Sequence, residues 1–198
     1  MIKNIIFDMG NVLLSYNPQI PLDLYCRSQE AKDIIRRELF EGPEGGQGDY
    51  GYISNLGRYE PVSRRVPAEF HSELSACVKG WDVCMTPVPG ALDFCKSVKN
   101  RGYKIYVLSN ADNSFHDYFT RFAEESFFDG VVVSSDVHMI KPELRIYEHF
   151  LRTFGLAAGE CLFLDDREEN IAGAAAAGIR GYVFRNDYEK IEKCLLSK

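Results

Sequence analysis

Four short groups of residues in this chain have the types and positions that chemistry requires. Asp8 follows the apolar run NIIF and is followed, two places on, by Gly10; Ser109 and Asn110 close the run YKIYVL. Lys141 stands immediately before Pro142, and Asp165 with Asp166 ends the run CLFL. A carboxylate inside an apolar strand costs several kcal/mol unless it is paired, metal-bound or at the strand's very end, so Asp8 calls for a chemical explanation. Taken singly, the other groups have plain structural roles. Asp112 or Asn113 would cap a helix after Asn110, Asp165 and Asp166 would do the same with Asn170 in the first turns, and an isolated lysine is ordinarily a solvated cation.

The elements that must position these residues follow from apolar patterning. Five runs, NIIFDM, YKIYVLSN, GVVVSS, CLFLDD and GYVF, are short, β-branched or aromatic and apolar throughout. Runs of that kind belong to parallel strands covered on both faces. Between the later runs lie GALDFCKSVKNRG, PELRIYEHFLRTFG and ENIAGAAAAGI, with apolar residues at helical spacing. The fold class is therefore α/β, a doubly wound parallel sheet formed by residues 1–16 and 86–198. Residues 17–85 break the rhythm: PLDLYCRSQEAKDIIRRELFEG and PAEFHSELSACVKGWD read as amphipathic helices separated by the Gly-rich EGPEGGQGDYGYISN. They are expected to form a small helical insert, with hinges near residues 15–18 and 85–89.

In open parallel sheets ligands collect beyond the carboxyl ends of the strands, which brings all four groups to one rim. Two or three carboxylates around Asp8 repel one another, and a hard divalent cation such as magnesium resolves that repulsion. Lys141, a hydroxyl, an amide and helix N-terminal N–H groups opposite them suit a phosphate dianion.

Composition narrows the partners. The chain has 198 residues, enough for one substantial core, and 23 basic against 29 acidic side chains give a net charge of −6 with no basic run, which excludes nucleic acid. No apolar stretch approaches a membrane span and no leader pattern opens the sequence, so a cytoplasmic protein is expected, with no membrane partner. The six cysteines are scattered without a CxxC pair and are expected to be reduced thiols.

In order, FDMGNVLL, YVLSN, MIKPELRIY and FLDDREEN resemble the four motifs of the haloacid dehalogenase superfamily, with the helical insert in the C1 cap position. Within that superfamily the FDxGNV opening, SSDVHMIKPELRIYEHFL and the FLDDxxxN ending look most like the bacterial α-D-glucose-1-phosphate phosphatase group and its sugar-phosphatase relatives. The resemblance implies a magnesium-dependent phosphatase in which Asp8 is the nucleophile and forms an aspartyl phosphate. It implies that Asp166, with Asp165 as a second candidate, holds the metal together with Asp8 and the carbonyl of Gly10. Ser109 and the backbone at Asn110 would bind phosphate oxygens, and Lys141 would offset charge on nucleophile and phosphoryl group. The substrate would be a small phosphorylated metabolite, a sugar phosphate first of all.

One position departs from the pattern. Phosphatases of the superfamily usually carry a second Asp two residues after the nucleophile, as general acid and base, where this chain has Gly10. Asn11 cannot titrate, and Asp49, Tyr50, His71 and Asp82 of the insert are candidates between which the sequence does not choose. The insert should select the substrate, GDYGYISNLGRYE offering aromatic and polar groups to a sugar; Trp81 is expected as a packing anchor, Arg145 and Tyr147 as helix packing or support for the site. Two other readings remain: 2-haloacid dehalogenation without metal, against which Asp165 and Asp166 argue, and a phosphate-ligand sensor that has lost turnover, which Gly10 motivates.

Overall fold

The computed structural model describes residues 1–196. Strand β1 (Asn4–Phe7) is buried along its whole length and leads through a tight turn to the short β2 (Leu14–Tyr16). The chain then becomes helical: α1 (Gln19–Tyr25), α2 (Gln29–Ile35), which runs on through a π-helical turn to Phe40, α3 (Glu44–Asp49), α4 (Tyr59–Ser63) and α5 (His71–Lys79). β3 (Met85–Pro87) brings it back, followed by α6 (Ala91–Asn100), β4 (Lys104–Ser109), α7 (Phe115–Phe119), β5 (Gly130–Val133) and α8 (Ser134–Val137). The last elements are α9 (Leu144–Phe154), β6 (Cys161–Asp165), α10 (Glu168–Ala176), β7 (Arg180–Val183) and α11 (Tyr188–Leu196).

All five apolar runs are strands of one parallel sheet in the order β5-β4-β1-β6-β7. Because side chains alternate along a strand, Ile5 and Phe7 point into one apolar cluster with Val107, Phe94 and Phe115, while Ile6 joins Tyr106, Phe150 and Phe163 in the other. Both faces are thus covered, which is why the runs are apolar throughout rather than alternating. Register aligns the carboxyl ends: Phe7 lies opposite Val107 and Leu164, and Ser109 opposite Val133.

The helical unit between β2 and β3 has its own apolar cluster, in which Leu22, Ala31, Ile35, Val62, Leu74 and Cys77 are fully buried. Each large aliphatic side chain so buried contributes roughly 1.5–3 kcal/mol. Two expectations here are corrected. The single helix expected from Pro21 to Gly42 is broken at Cys26–Ser28, where Ser28 turns extended and its Oγ caps the Ala31 N–H at 3.1 Å. The Gly-rich separator is partly helical, holding α3, and α4 follows it before the second expected helix begins. Tertiary contact outweighs glycine's poor helix propensity there, because buried Glu44 takes both Nη atoms of Arg65 at 2.9 and 2.8 Å. The sequence also gave no sign of the antiparallel ribbon that pairs β2 with β3, Ser15 opposite Thr86 and Tyr16 opposite Met85. Five of the cysteines are buried free thiols, as expected; the side chain of Cys194 lies outside those described.

Candidate active site

The sheet places the polar groups by simple extension. Asp8 is the first residue beyond β1, tied in by its N–H to the Leu164 carbonyl at 2.8 Å, while Ser109 and Asp165 are the last residues of β4 and β6. Lys141 arrives from the loop before α9 and is held there by reciprocal bonds with Asn110: the Lys141 N–H donates to Asn110 Oδ1 at 2.8 Å, and Asn110 Nδ2 donates to the Lys141 carbonyl at 2.9 Å. The Asn110 side chain is therefore a brace for Lys141, which leaves its backbone to face the rim.

Lys141 is 2 % exposed, and its Nζ donates to Asp8 Oδ1 at 2.6 Å and to Asp165 Oδ2 at 2.8 Å. Asp165, fully buried, is saturated further by Asn170 Nδ2 at 3.0 and 2.9 Å and by the Arg167 N–H at 2.9 Å. Tyr147 supports this arrangement by donating to the Asn170 carbonyl at 2.7 Å, whereas Arg145 is exposed and pairs with Glu143. Asp166 is more open, taking Asn11 Nδ2 at 3.0 Å. Asn11 has a left-handed backbone (φ 55°), a conformation asparagine tolerates, and its Oδ1 also accepts the Tyr16 N–H at 3.2 Å.

Burial pushes the Asp8 carboxyl up to about 7, Asp165 and Asp166 adding to the shift and Lys141 opposing it. Burial alone would lower the Lys141 ammonium, but Asp8 and Asp165 outweigh it and hold the group above its ordinary range. Oxygens of Asp8, Asp165 and Asp166 all lie within 4.8 Å of one another. Three carboxylates against one ammonium leave two negative charges uncompensated, an all-oxygen set that fits a hard divalent cation. Ser109 Oγ is buried with no hydrogen-bond partner among the described residues, as are Arg58 Nε and Ser135 Oγ, and a buried hydroxyl in that state is open to a ligand or water.

Above the rim opens a cavity of about 450 Å³, walled on one side by Asp8, Asn110, Lys141 and Asp166 and on the other by residues of the helical unit, Phe40, Asp49 and Arg58 among them. The helical unit is fastened to the sheet side by specific bonds. Ser134 Oγ donates to the Asp49 carbonyl at 2.6 Å, His138 Nδ1 to the Tyr50 carbonyl at 2.7 Å, and Tyr50 Oη to Glu143. Arg58 Nη2 meets Asp112 Oδ2 at 2.6 Å, both largely buried. Gly51 allows the close approach: it has φ 75°, and a Cβ there would stand 2.5 Å from the Ser135 carbonyl oxygen.

A model of the haloacid dehalogenase-like hydrolases matches residues 2–178. The chain belongs to that family. Among its curated relatives it is 30% identical over 180 residues to a sesquiterpene phosphatase of Aspergillus oryzae, covering 90% of this chain and 88% of the relative. It is 28% identical to a glyceraldehyde 3-phosphate phosphatase of Methanothermobacter thermautotrophicus, covering 98% and 90% of the two chains. In fold it is similar to a HAD-family enzyme of Bacteroides thetaiotaomicron solved with magnesium and inorganic phosphate, with a TM-score of 0.72 at 23% identity over 94% of this chain and 96% of the other.

Asp8, Ser109, Asn110, Lys141, Asp165 and Asp166 converge on one rim, with Gly10 beside them in the cavity wall. Of the four candidates in the insert, three are occupied elsewhere. His71 Nε2 contacts the Ser63 and Val66 carbonyls at 3.0 Å, Asp82 pairs with Arg121 at 2.9 Å, and Tyr50 binds Glu143. Trp81 packs edge-on against Tyr118 as an anchor, and also lines the cavity. The fastening residues Arg58, Asp112, Ser134 and His138 were not foreseen as a set, because no spacing rule links positions so far apart in the chain.

Proposed function

We propose that this HAD-family hydrolase is a magnesium-dependent phosphomonoesterase acting on a small phosphorylated metabolite. The observation that carries the reading is the buried ion pair of Asp8 with Lys141, at the end of β1 where the neighbouring strand β4 ends in Ser109, whose buried hydroxyl is unpartnered among the described residues. In this reading Asp8 attacks phosphorus and becomes an aspartyl phosphate, which water then hydrolyses. Lys141 opposes the upward shift of the Asp8 carboxyl and aims it, and stays beside the oxygens as charge moves onto them. Ser109 Oγ and the backbone N–H of Asn110 receive phosphate oxygens. Asp8, Asp166 and the Gly10 carbonyl would hold the cation, with Asp165, its oxygens occupied by Lys141, Asn170 and the Arg167 N–H, fixing Lys141 from behind. Bound magnesium supplies charge neutralisation at the phosphoryl group.

The helical unit serves as a cap, residues 17–85 as against 1–16 and 86–198, because it closes the cavity over the rim and carries the walls that meet the substrate body. Those walls mix aromatic and thioether groups, Phe40, Trp81 and Met85, with Glu41, Asp49 and Arg58, Tyr16 of β2 standing next to them, and so accept the face of a sugar ring or an isoprenoid chain. The likeness to the glucose-1-phosphate phosphatase group makes sugar 1-phosphates the first substrates, and the sesquiterpene phosphatase relative sets a sesquiterpene phosphate beside them. The test is phosphate release from these, from glyceraldehyde 3-phosphate and from an aryl phosphate, with magnesium and with chelator. Turnover that requires magnesium is the expected result. Halide release from a 2-haloacid in chelator points instead to dehalogenation, and tight phosphate binding without turnover to a sensor.

A further inference from the structure

We propose that Asp49, carried by the helical unit, is the general acid and base of this site, protonating the leaving oxygen and later taking a proton from the attacking water. The proposal rests on the phosphomonoesterase reading. Expelling an alkoxide requires a proton in the transition state, and the rim has no acid free to give one. At Gly10 there is no side chain, and a Cβ placed there would meet only Asp8 Oδ2, at 3.9 Å.

The titratable groups that line the cavity can be sorted by what already holds them. Asp8 and Lys141 are bonded to each other, and Asp166 belongs to the carboxylate cluster. Asp112 is locked by Arg58 and by Ser114, whose N–H and Oγ both donate to it, at 2.9 and 2.5 Å. Tyr118 Oη donates to Met9 Sδ at 3.4 Å, and burial raises both Tyr118 and Tyr16 far above the range useful for proton transfer. Glu41 is exposed to solvent. Asp49 is different: its backbone is fastened by Ser134, it shares the cavity with Asp8, and it is half-buried.

The charged groups that face Asp49 come from four elements: Arg58 of the helical unit, Asp112 after β4, Lys141 before α9 and Arg167 before α10. Burial is the largest influence and Asp112 adds to it, while Arg58, Lys141 and Arg167 oppose, so that the carboxyl is pushed up to about 6. An acid of that strength is protonated often enough to donate and ionised often enough to accept near neutral pH. In the first step the Asp8 oxygen–phosphorus bond forms, the bond from phosphorus to the leaving oxygen breaks, and the Asp49 proton moves to that oxygen to give the alcohol. In the second, the Asp49 carboxylate takes a proton from water as the water oxygen bonds phosphorus, and phosphate and the Asp8 carboxylate are released.

The experiment compares kcat/KM for an alkyl phosphate and for p-nitrophenyl phosphate, whose leaving group needs no proton, in wild type, Asp49→Asn and Asp49→Glu. Asp49→Asn should lose ~10²–10³-fold on the alkyl phosphate and less than about 5-fold on the aryl one, with partial recovery in Asp49→Glu. Equal losses on both, or none on the alkyl phosphate, would overturn the proposal. Wild type alone gives a second check: its alkyl kcat/KM should show a descending limb above pH ~6 that the aryl substrate lacks, the ionisation of phosphate itself being common to both. Matching profiles would overturn it. A third readout needs neither metal nor turnover. The Asp49 proton is held more tightly in the folded than in the unfolded chain, so wild type should lose melting temperature relative to Asp49→Asn as pH rises from about 4 to about 6, the gap staying constant above. Superimposable curves would count against a buried acid. If wild type turns over neither substrate with magnesium, it is the phosphatase reading that fails, not the assignment of Asp49 within it.

Discussion

The rim of the sheet and the pair Asp49 and Arg58 of the helical unit line the same cavity, yet they are positioned by opposite means. Asp8, Ser109 and Asp165 stand where they do because strand register puts them there, and each is at or next to the end of its own apolar run. Asp49 stands where it does because distant residues hold its neighbours: Ser134, His138 and Glu143 grip two adjacent residues of the helical unit, and Asp112 grips Arg58. The end of β5 shows the difference most plainly. It carries no group for phosphate or metal, and instead its Ser134 and Ser135 form the seat of the helical unit. A sheet fixes chemistry by backbone bonds that are costly to break one at a time; the clamp uses a few side-chain bonds, which can be.

The largest expected effect is on the rim. Asp8→Asn should lower kcat by about 10⁴-fold or more, read as phosphate release, with magnesium-dependent phosphate binding retained by calorimetry. Lys141→Met comes next. It strands the buried Asp8 and Asp165 carboxylates, and by denaturant titration should cost ~3–5 kcal/mol. Added magnesium should recover part of that loss.

Substitutions in the clamp should act on turnover rather than on folding. Gly51→Ala places a Cβ 2.5 Å from the Ser135 oxygen in a left-handed backbone and should lower kcat/KM roughly 10-fold by lifting the Asp49 segment. Its melting temperature should stay within a few degrees of wild type, because the apolar cluster of the helical unit is untouched. Ser134→Ala is the mildest on turnover: it removes the hydrogen bond to the Asp49 carbonyl and the acceptor of the Ala111 N–H, together worth about 1–3 kcal/mol, and should cost about 5-fold in kcat/KM. A loss of stability in either clamp variant as large as that of Lys141→Met would erase the distinction between the two regions.

The same distinction explains what the sequence made legible. A parallel strand buried on both faces advertises itself as a short apolar run, and the polar residue at its end then has one place to go, so a rim of Asp8, Ser109, Lys141 and Asp166 is legible in the sequence alone. The part played by Asn110 in bracing Lys141 was hidden, since a side-chain bond between positions 110 and 141 leaves no periodic trace. In the Gly-rich segment, propensity pointed to a loop, and the Arg65 grip on Glu44 reversed it. Of the four acids and bases named in the insert, sequence could not separate Asp49 from His71, whose ring turns inward onto the Ser63 and Val66 carbonyls.

The antiparallel pairing of β2 with β3 has a consequence for how such a molecule can diversify. Since Tyr16 lies opposite Met85, the chain leaves the sheet side and re-enters it at the same point in space. Everything between them is, topologically, the loop of one hairpin. A shorter loop, or a different set of helices, can be spliced onto the same two strand ends without changing the register of any strand in the large sheet, so that one reactive rim can be refitted with new walls.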